Sequence, residues 1–204
     1  VGGDYFDFHD TKDRLTFVLG DVSGKGKGAA LIMTILRAAV RDHWLDDDLK
    51  VALGEMNNLV TQNVPANKYV TFFLGRLDLH TGDLEYVNAG HNAPILSRAS
   101  GAVDRLQTGG MVLGLFEDVA YELGSTRVDP QDRLVVFTDG FSETWNSKGE
   151  ELGEDGLTRF VLDVRGTSAS AMKDHLLKSA DAFAEGLKAT DDRTIIVVCR
   201  EARS

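Results

Sequence analysis

The order of apolar and polar residues along the chain predicts short buried strands and a few helices. Residues 15–21 (LTFVLGD) are a brief apolar run stopped by Gly20, which predicts a buried strand ending in a turn. A glycine-rich bend, SGKGKG, follows. Residues 28–44 are apolar on nearly all sides, as expected of a helix buried between other elements. Leu49, Ala52, Leu53, Met56, Leu59 and Val60 recur every three to four positions, predicting a second helix over 48–63 that Pro65 ends. The preceding Asp46-Asp47-Asp48 supplies an N-cap and a charge complement to the helix dipole.

The middle of the chain is β-rich. Strands are predicted at 69–79, 83–88, 94–97, 102–106, 120–128 and 134–138, with hairpin signals at Thr81-Gly82-Asp83 and Ser100-Gly101. A segment rich in glycine and charge spans 140–156. Ala171, Leu176, Ala180 and Phe183 mark one face of a helix over 168–187, and 194–199 (TIIVVC) is a buried terminal strand. Hairpin-linked strands argue for antiparallel sheets rather than βαβ units, with one helix pair after the first strand region and another before the last strand. The fold class is therefore α+β. With no repeat, low-complexity segment or linker, the economical organisation is a single domain over 1–204.

Charge and composition narrow the chemistry. The 204 residues carry 22 Lys+Arg against 32 Asp+Glu, a net charge of -10. That excess of acid argues against nucleic acid as a partner. A single cysteine, Cys199, excludes an intramolecular disulfide and disfavours thiolate zinc, and five histidines disfavour a histidine-rich metal site. If a metal is used, carboxylates must hold it, and carboxylates favour hard ions such as Mg or Mn. No apolar run approaches the roughly 20 residues of a membrane span, and the N-terminus does not read as a signal peptide, so the expected location is cytoplasmic with no membrane partner. The chain begins at Val1 without an initiating Met, which suggests the C-terminal part of a longer protein.

Several strand ends present an aspartate beside glycine: Asp4 and Asp7 in GGDYFDF, Asp21 in LGDVSGKG, Asp139 in FTDG, and Asp191-Asp192 in ATDDRT. A single such residue is ordinarily turn chemistry. Converging turns of this kind would instead build a cage of hard oxygens able to hold two ions about 3.5–4 Å apart.

The segments VGGDYFDF (1–8), LGDVSGKGKGAAL (19–31), NAGHNAPIL (88–96), VLGLF (112–116), LVVFTDGFSETWNSKGEELG (134–153) and DDRTIIVV (191–198) together resemble bacterial metal-dependent Ser/Thr protein phosphatases. The closer likeness is to the branch of the stage II sporulation protein E type. The resemblance implies a central antiparallel β-sandwich of two sheets flanked by helix pairs, and a binuclear Mg or Mn site. By position, Asp21 is the implied bridging ligand and the Val22 carbonyl a ligand of the second metal. Asp139 and Asp191 are implied ligands of the first, and Asp4 binds metal-held water. Asp7 and Asp192 are read as supporting residues. A metal-bridged hydroxide would attack phosphorus in line, with the catalytic role resting on Asp21 and Asp139. Cys199, inside an apolar strand, is read as a small core residue.

Some positions stay open. Lys25 either contacts the phosphate or is a solvated loop lysine. Trp145 either touches substrate or packs against the sheet. His91 stands where relatives can carry an Asp of a third metal site, and reads better as a hydrogen-bonded turn histidine. The family's usual first strand, upstream of GGD, is absent from this sequence. The implied substrate is a phosphorylated protein, in this branch an anti-sigma-factor antagonist, with an upstream sensor or receiver domain in the same chain. The alternative function is a catalytically weak phosphatase-fold adaptor, which should lack the Asp set. A nucleotide-binding reading of SGKGKG is weak because the spacing G-x-x-x-x-G-K-[ST] is not met.

Overall fold

The structure, a computed structural model, describes residues 2–24, 26–65 and 67–201. Its elements in chain order are strands β1 (Asp4–Asp10) and β2 (Arg14–Val22), helices α1 (Lys27–Asp42) and α2 (Leu49–Asn63), and strands β3 (Val70–Asp78), β4 (Asp83–Ala89), β5 (Ile95–Ser97), β6 (Val103–Arg105), β7 (Gly109–Gly110), β8 (Gly124–Arg127) and β9 (Arg133–Phe137). Helices α3 (Asp139–Ser142), α4 (Gly153–Asp163) and α5 (Ala169–Phe183) and strand β10 (Ile195–Cys199) complete the chain. The α+β class holds. Among the described residues no helix is long and apolar enough to cross a membrane.

The chain divides into two compact units, 1–91 with 107–127 and 92–106 with 128–204. The first holds a sheet of order β1-β2-β3-β4-β7, with β8 also paired to β4. All its ladders are antiparallel except the short β4–β7 contact. Strand alternation sends Val18 and Val22 of β2 into a core with Ile32 and Leu36 of α1 and Leu53 and Met56 of α2. On the other face of the sheet the rings of Phe17 and Phe73 lie 6.2 Å apart and those of Phe73 and Tyr86 5.7 Å apart. The second unit holds the antiparallel sheet β10-β9-β5-β6. Its core joins Ile95, Val135 and Phe137 to Leu157 and Val161 of α4 and to Met172, Leu176 and Ala180 of α5. Each unit thus joins one sheet to packed helices, α1 and α2 in the first and α4 and α5 in the second.

Three sequence expectations change. The helix over 28–44 is not buried all round: Ala29, Ile32, Leu36, Ala39 and Val40 face the core while Leu31 is 62% exposed, because the helix lies on one sheet and meets solvent on its far side. The segment 140–156, read in the sequence only as rich in glycine and charge, takes helical structure that no pattern there predicted. It contains α3 and the start of α4, whose Leu157 and Val161 are buried four residues apart. Third, the strand expected over 120–128 is confined to Gly124–Arg127. Asp48 caps α2, its carboxylate accepting the Lys50 and Val51 N–H groups at 2.9 and 3.4 Å. Cys199 is half-buried, and burial pushes its thiol up, away from the reactive thiolate.

Candidate metal centre

In the first unit the acidic motifs are placed by strand register. The β1–β2 ladder sets Asp4 directly opposite Asp21. Like charges in that position repel and weaken a ladder unless a cation offsets them. The turn that follows is fixed at both ends. Val22 N–H donates to the Gly3 carbonyl at 3.1 Å, and Ser23 N–H donates to the Tyr69 carbonyl at 2.9 Å. Ser23 Oγ accepts Tyr69 N–H, and Lys68 Nζ donates to the Ser23 carbonyl, each at 2.9 Å. Gly3 stands over this corner: a Cβ there would come to 2.9 Å from both Asp21 Oδ1 and the Val22 carbonyl oxygen. Absence of a side chain at Gly3 thus keeps the approach to those two oxygens open.

Asp7 belongs to the other face of β1, since alternation turns positions 4 and 7 apart. Its Oδ2 accepts the Tyr5 hydroxyl and Arg41 Nε, both at 3.2 Å, tying the strand to α1. Burial, with the Asp7 carboxylate alongside, pushes the Tyr5 phenol up.

In the second unit Asp139 opens α3 at the end of β9, and Asp191 lies in the turn before β10. The two turns are pressed together. Thr138 N–H donates to the Thr194 carbonyl at 3.1 Å, and Thr194 N–H donates to Thr138 Oγ1 at 3.0 Å. A Cβ at Gly140 would fall inside the Asp192 carbonyl oxygen, so only glycine fits. Asp191 is half-buried and Asp192 exposed. Glu143, whose N–H donates to the Asp139 carbonyl at 2.7 Å, shares this neighbourhood. Partial burial and the negative charges of Asp139, Glu151 and Asp191 hold its carboxyl above the usual range.

Trp145, 46% exposed, lines a small cleft of about 100 Å³ with Gly140, Thr190 and Arg193. Lys25 lies outside the described residues. His91 is buried, with Nδ1 2.9 Å from Thr71 Oγ1 and its N–H donating to Asn88 Oδ1 at 2.7 Å. Lys68, Thr138 and Glu143 had no sequence signal, because each joins the site through a contact or a field that motif spacing does not encode. Each acidic group presents oxygen donors alone, the donor set that suits a hard dication such as Mg or Mn.

Known proteins resemble the chain along nearly its whole length. RsbU of Bacillus subtilis, a phosphoserine phosphatase, is 29% identical over 98% of this chain and 60% of its own length. The RsbU and RsbW domains of Rv1364c from Mycobacterium tuberculosis match at 28% identity and a TM-score of 0.83, over all of this chain and 56% of theirs. The SiaA-PP2C domain of Pseudomonas aeruginosa shares the fold at a TM-score of 0.87 and 19% identity, over 98% of this chain and 81% of its own. The chain spans between 36% and 60% of the length of the curated relatives it matches. Residues 11–201 match the stage II sporulation protein E (SpoIIE) family, and the chain belongs to that family.

Proposed function

We propose that the chain is a Mg- or Mn-dependent phosphatase of phosphoserine or phosphothreonine in a protein, acting in cytoplasmic signalling. The observation that carries this reading is the placement of Asp4 opposite Asp21, beside an approach to Asp21 Oδ1 and the Val22 carbonyl that Gly3 leaves open. Asp4, Asp21 and the Val22 carbonyl on the first unit, and Asp139 and Asp191 on the second, are the ligands of two divalent ions. Such ions, when bound, supply Lewis acidity toward water and offset charge on a phosphoryl group. The chain's own part is positional: the β1–β2 register fixes one acidic group, and the Thr138–Thr194 bonds fix the other. Trp145 and Lys25 are assigned to substrate contact. Membership of the family and the likeness to RsbU, a phosphoserine phosphatase, support a phosphoprotein substrate, and the substrate we assign is an anti-sigma-factor antagonist. The greater length of the relatives supports control by an upstream sensor or receiver domain.

The test is Mn-dependent hydrolysis of p-nitrophenyl phosphate and of a phosphorylated antagonist protein. Activity should vanish with EDTA and fall by at least about 100-fold in Asp21→Asn and in Asp139→Asn. Full activity in either variant would remove the proposed ligand set. Metal binding without turnover of any phosphoprotein would favour the adaptor reading.

A further inference from the structure

We propose that His43, Asp46 and Glu55 form a separate metal site, for a borderline transition dication such as zinc, at the corner between α1 and α2. The three residues come from three pieces of backbone. His43 is the C-cap of α1, its N–H donating to the Ala39 carbonyl at 3.2 Å. Asp46 sits in the connection, whose fold is closed by Asp46 N–H donating to the His43 carbonyl at 3.3 Å. Glu55 lies in the second turn of α2. The turn sets Asp46 beside His43, and the packing of α1 against α2 brings Glu55 to them.

Their donor atoms converge. His43 Nδ1 is 2.6 Å from Asp46 Oδ2 and 3.5 Å from Glu55 Oε2, and one donor atom from each residue lies within 4.8 Å of the others. Zinc held at about 2.0–2.2 Å by N and O ligands in a tetrahedron sets them roughly 3.3–3.6 Å apart: His43 and Glu55 already stand at that spacing, while His43 and Asp46, hydrogen-bonded at 2.6 Å, part by about 0.7–1 Å to admit the ion. A single imidazole nitrogen carries at most one proton and cannot satisfy two carboxylates at once. A dication can, and it also offsets their mutual repulsion. The His43 side chain is 16% exposed, against 40% for Asp46 and 60% for Glu55, so the nitrogen is held in place while the carboxylate side stays open to an entering ion and a water ligand.

Donor chemistry distinguishes this site from the acidic groups described above. An imidazole nitrogen with two carboxylates prefers zinc, nickel or copper, whereas all-oxygen sets accept Mg and Mn. A bound ion would clamp the end of α1 to α2, the helix pair that covers the first sheet. Trp44, adjacent to His43, stacks on His9 with ring centroids 5.7 Å apart, so its fluorescence reports the state of this corner.

The experiment uses chelator-stripped protein in a large excess of Mg, titrated with zinc by calorimetry and with Co(II) by visible absorption. The wild type should bind one equivalent of zinc that Glu55→Gln and His43→Ala each weaken by at least about tenfold, since even outer partners of a metal ligand commonly matter that much. Co(II) should give an absorption band that is lost in His43→Ala. Glu55 is exposed, so Glu55→Gln tests the site even where His43→Ala disturbs folding. Zinc affinity unchanged in Glu55→Gln overturns the proposal, as does an absence of zinc binding in excess Mg.

Discussion

The two acidic groups are built by opposite means. In the first unit Asp4 and Asp21 are positioned by two long strands, whose register is shared by every pair from Asp4↔Asp21 to Asp10↔Leu15. In the second, Asp139 and Asp191 sit in turns just beyond the β9–β10 ladder, held by the two Thr138–Thr194 bonds and the fit of Gly140 against Asp192. A ladder spreads the work of placement over many bonds, while the paired turns concentrate it in four residues, Thr138, Gly140, Asp192 and Thr194. Point changes near the turns should therefore cost fold and function together. Near the ladder, function should suffer with a smaller loss of stability.

The largest effect is expected from Gly140→Ala, which drives a methyl group into the Asp192 carbonyl. It should destabilise the protein by about 3 kcal/mol and remove most Mn-dependent activity, measured by thermal melting and phosphatase assay. Gly3→Ala comes next. It should cost less than Gly140→Ala, about 1–2 kcal/mol, because its methyl meets the Val22 carbonyl at 2.9 Å rather than overlapping it. The same methyl crowds Asp21 Oδ1, so Mn affinity should fall by roughly tenfold, a loss out of proportion to the change in melting. Equal stability losses in Gly3→Ala and Gly140→Ala would break the comparison. Thr138→Val follows. It leaves the partly buried Thr194 N–H without the Thr138 Oγ1 acceptor and should cost about 1 kcal/mol by denaturant titration. The smallest change is the most pointed: in metal-free protein Asp21→Asn removes like-charge opposition to Asp4 and should stabilise by about 0.2–1 kcal/mol. A destabilised metal-free Asp21→Asn would mean that the pairing is not strained by charge.

Elements whose burial follows one strong period were legible in the sequence. β2, β3 and β10 are continuous apolar runs, and α2 announces itself by Asp48 and its three-to-four spacing. β1 carries no such pattern: Tyr5 faces the core, while Phe6 and Phe8 are 58% and 61% exposed on an edge strand, so apolar residues stand on both faces. α4 was hidden because Gly153, Gly156 and four charges dilute a short apolar stripe. The α1 surface was misjudged because Leu31 and Ala38 read as apolar in sequence yet stand exposed on the outer face. Among site residues, the aspartates stand in recognisable motifs. The residues that hold them are legible only after folding, because Lys68 meets Ser23 across 45 positions and Thr138 meets Thr194 across 56. The His43–Asp46–Glu55 corner escaped for a related reason. Counting histidines speaks against a histidine-rich site but says nothing of one imidazole flanked by two carboxylates.

β1 is hydrogen-bonded on one side only, to β2, among the described residues. Opening of its first rung, Asp4↔Asp21, parts the two carboxylates without touching the β2–β3 ladder. On the proposed ligand set, each detachment of the first residues of β1 withdraws Asp4 and leaves Asp21 in place. Metal occupancy and strand attachment then become two readings of one equilibrium. Amide hydrogens of β1 should exchange more slowly when Mn is bound, by a factor that tracks saturation, while those of β3 should be indifferent to the ion.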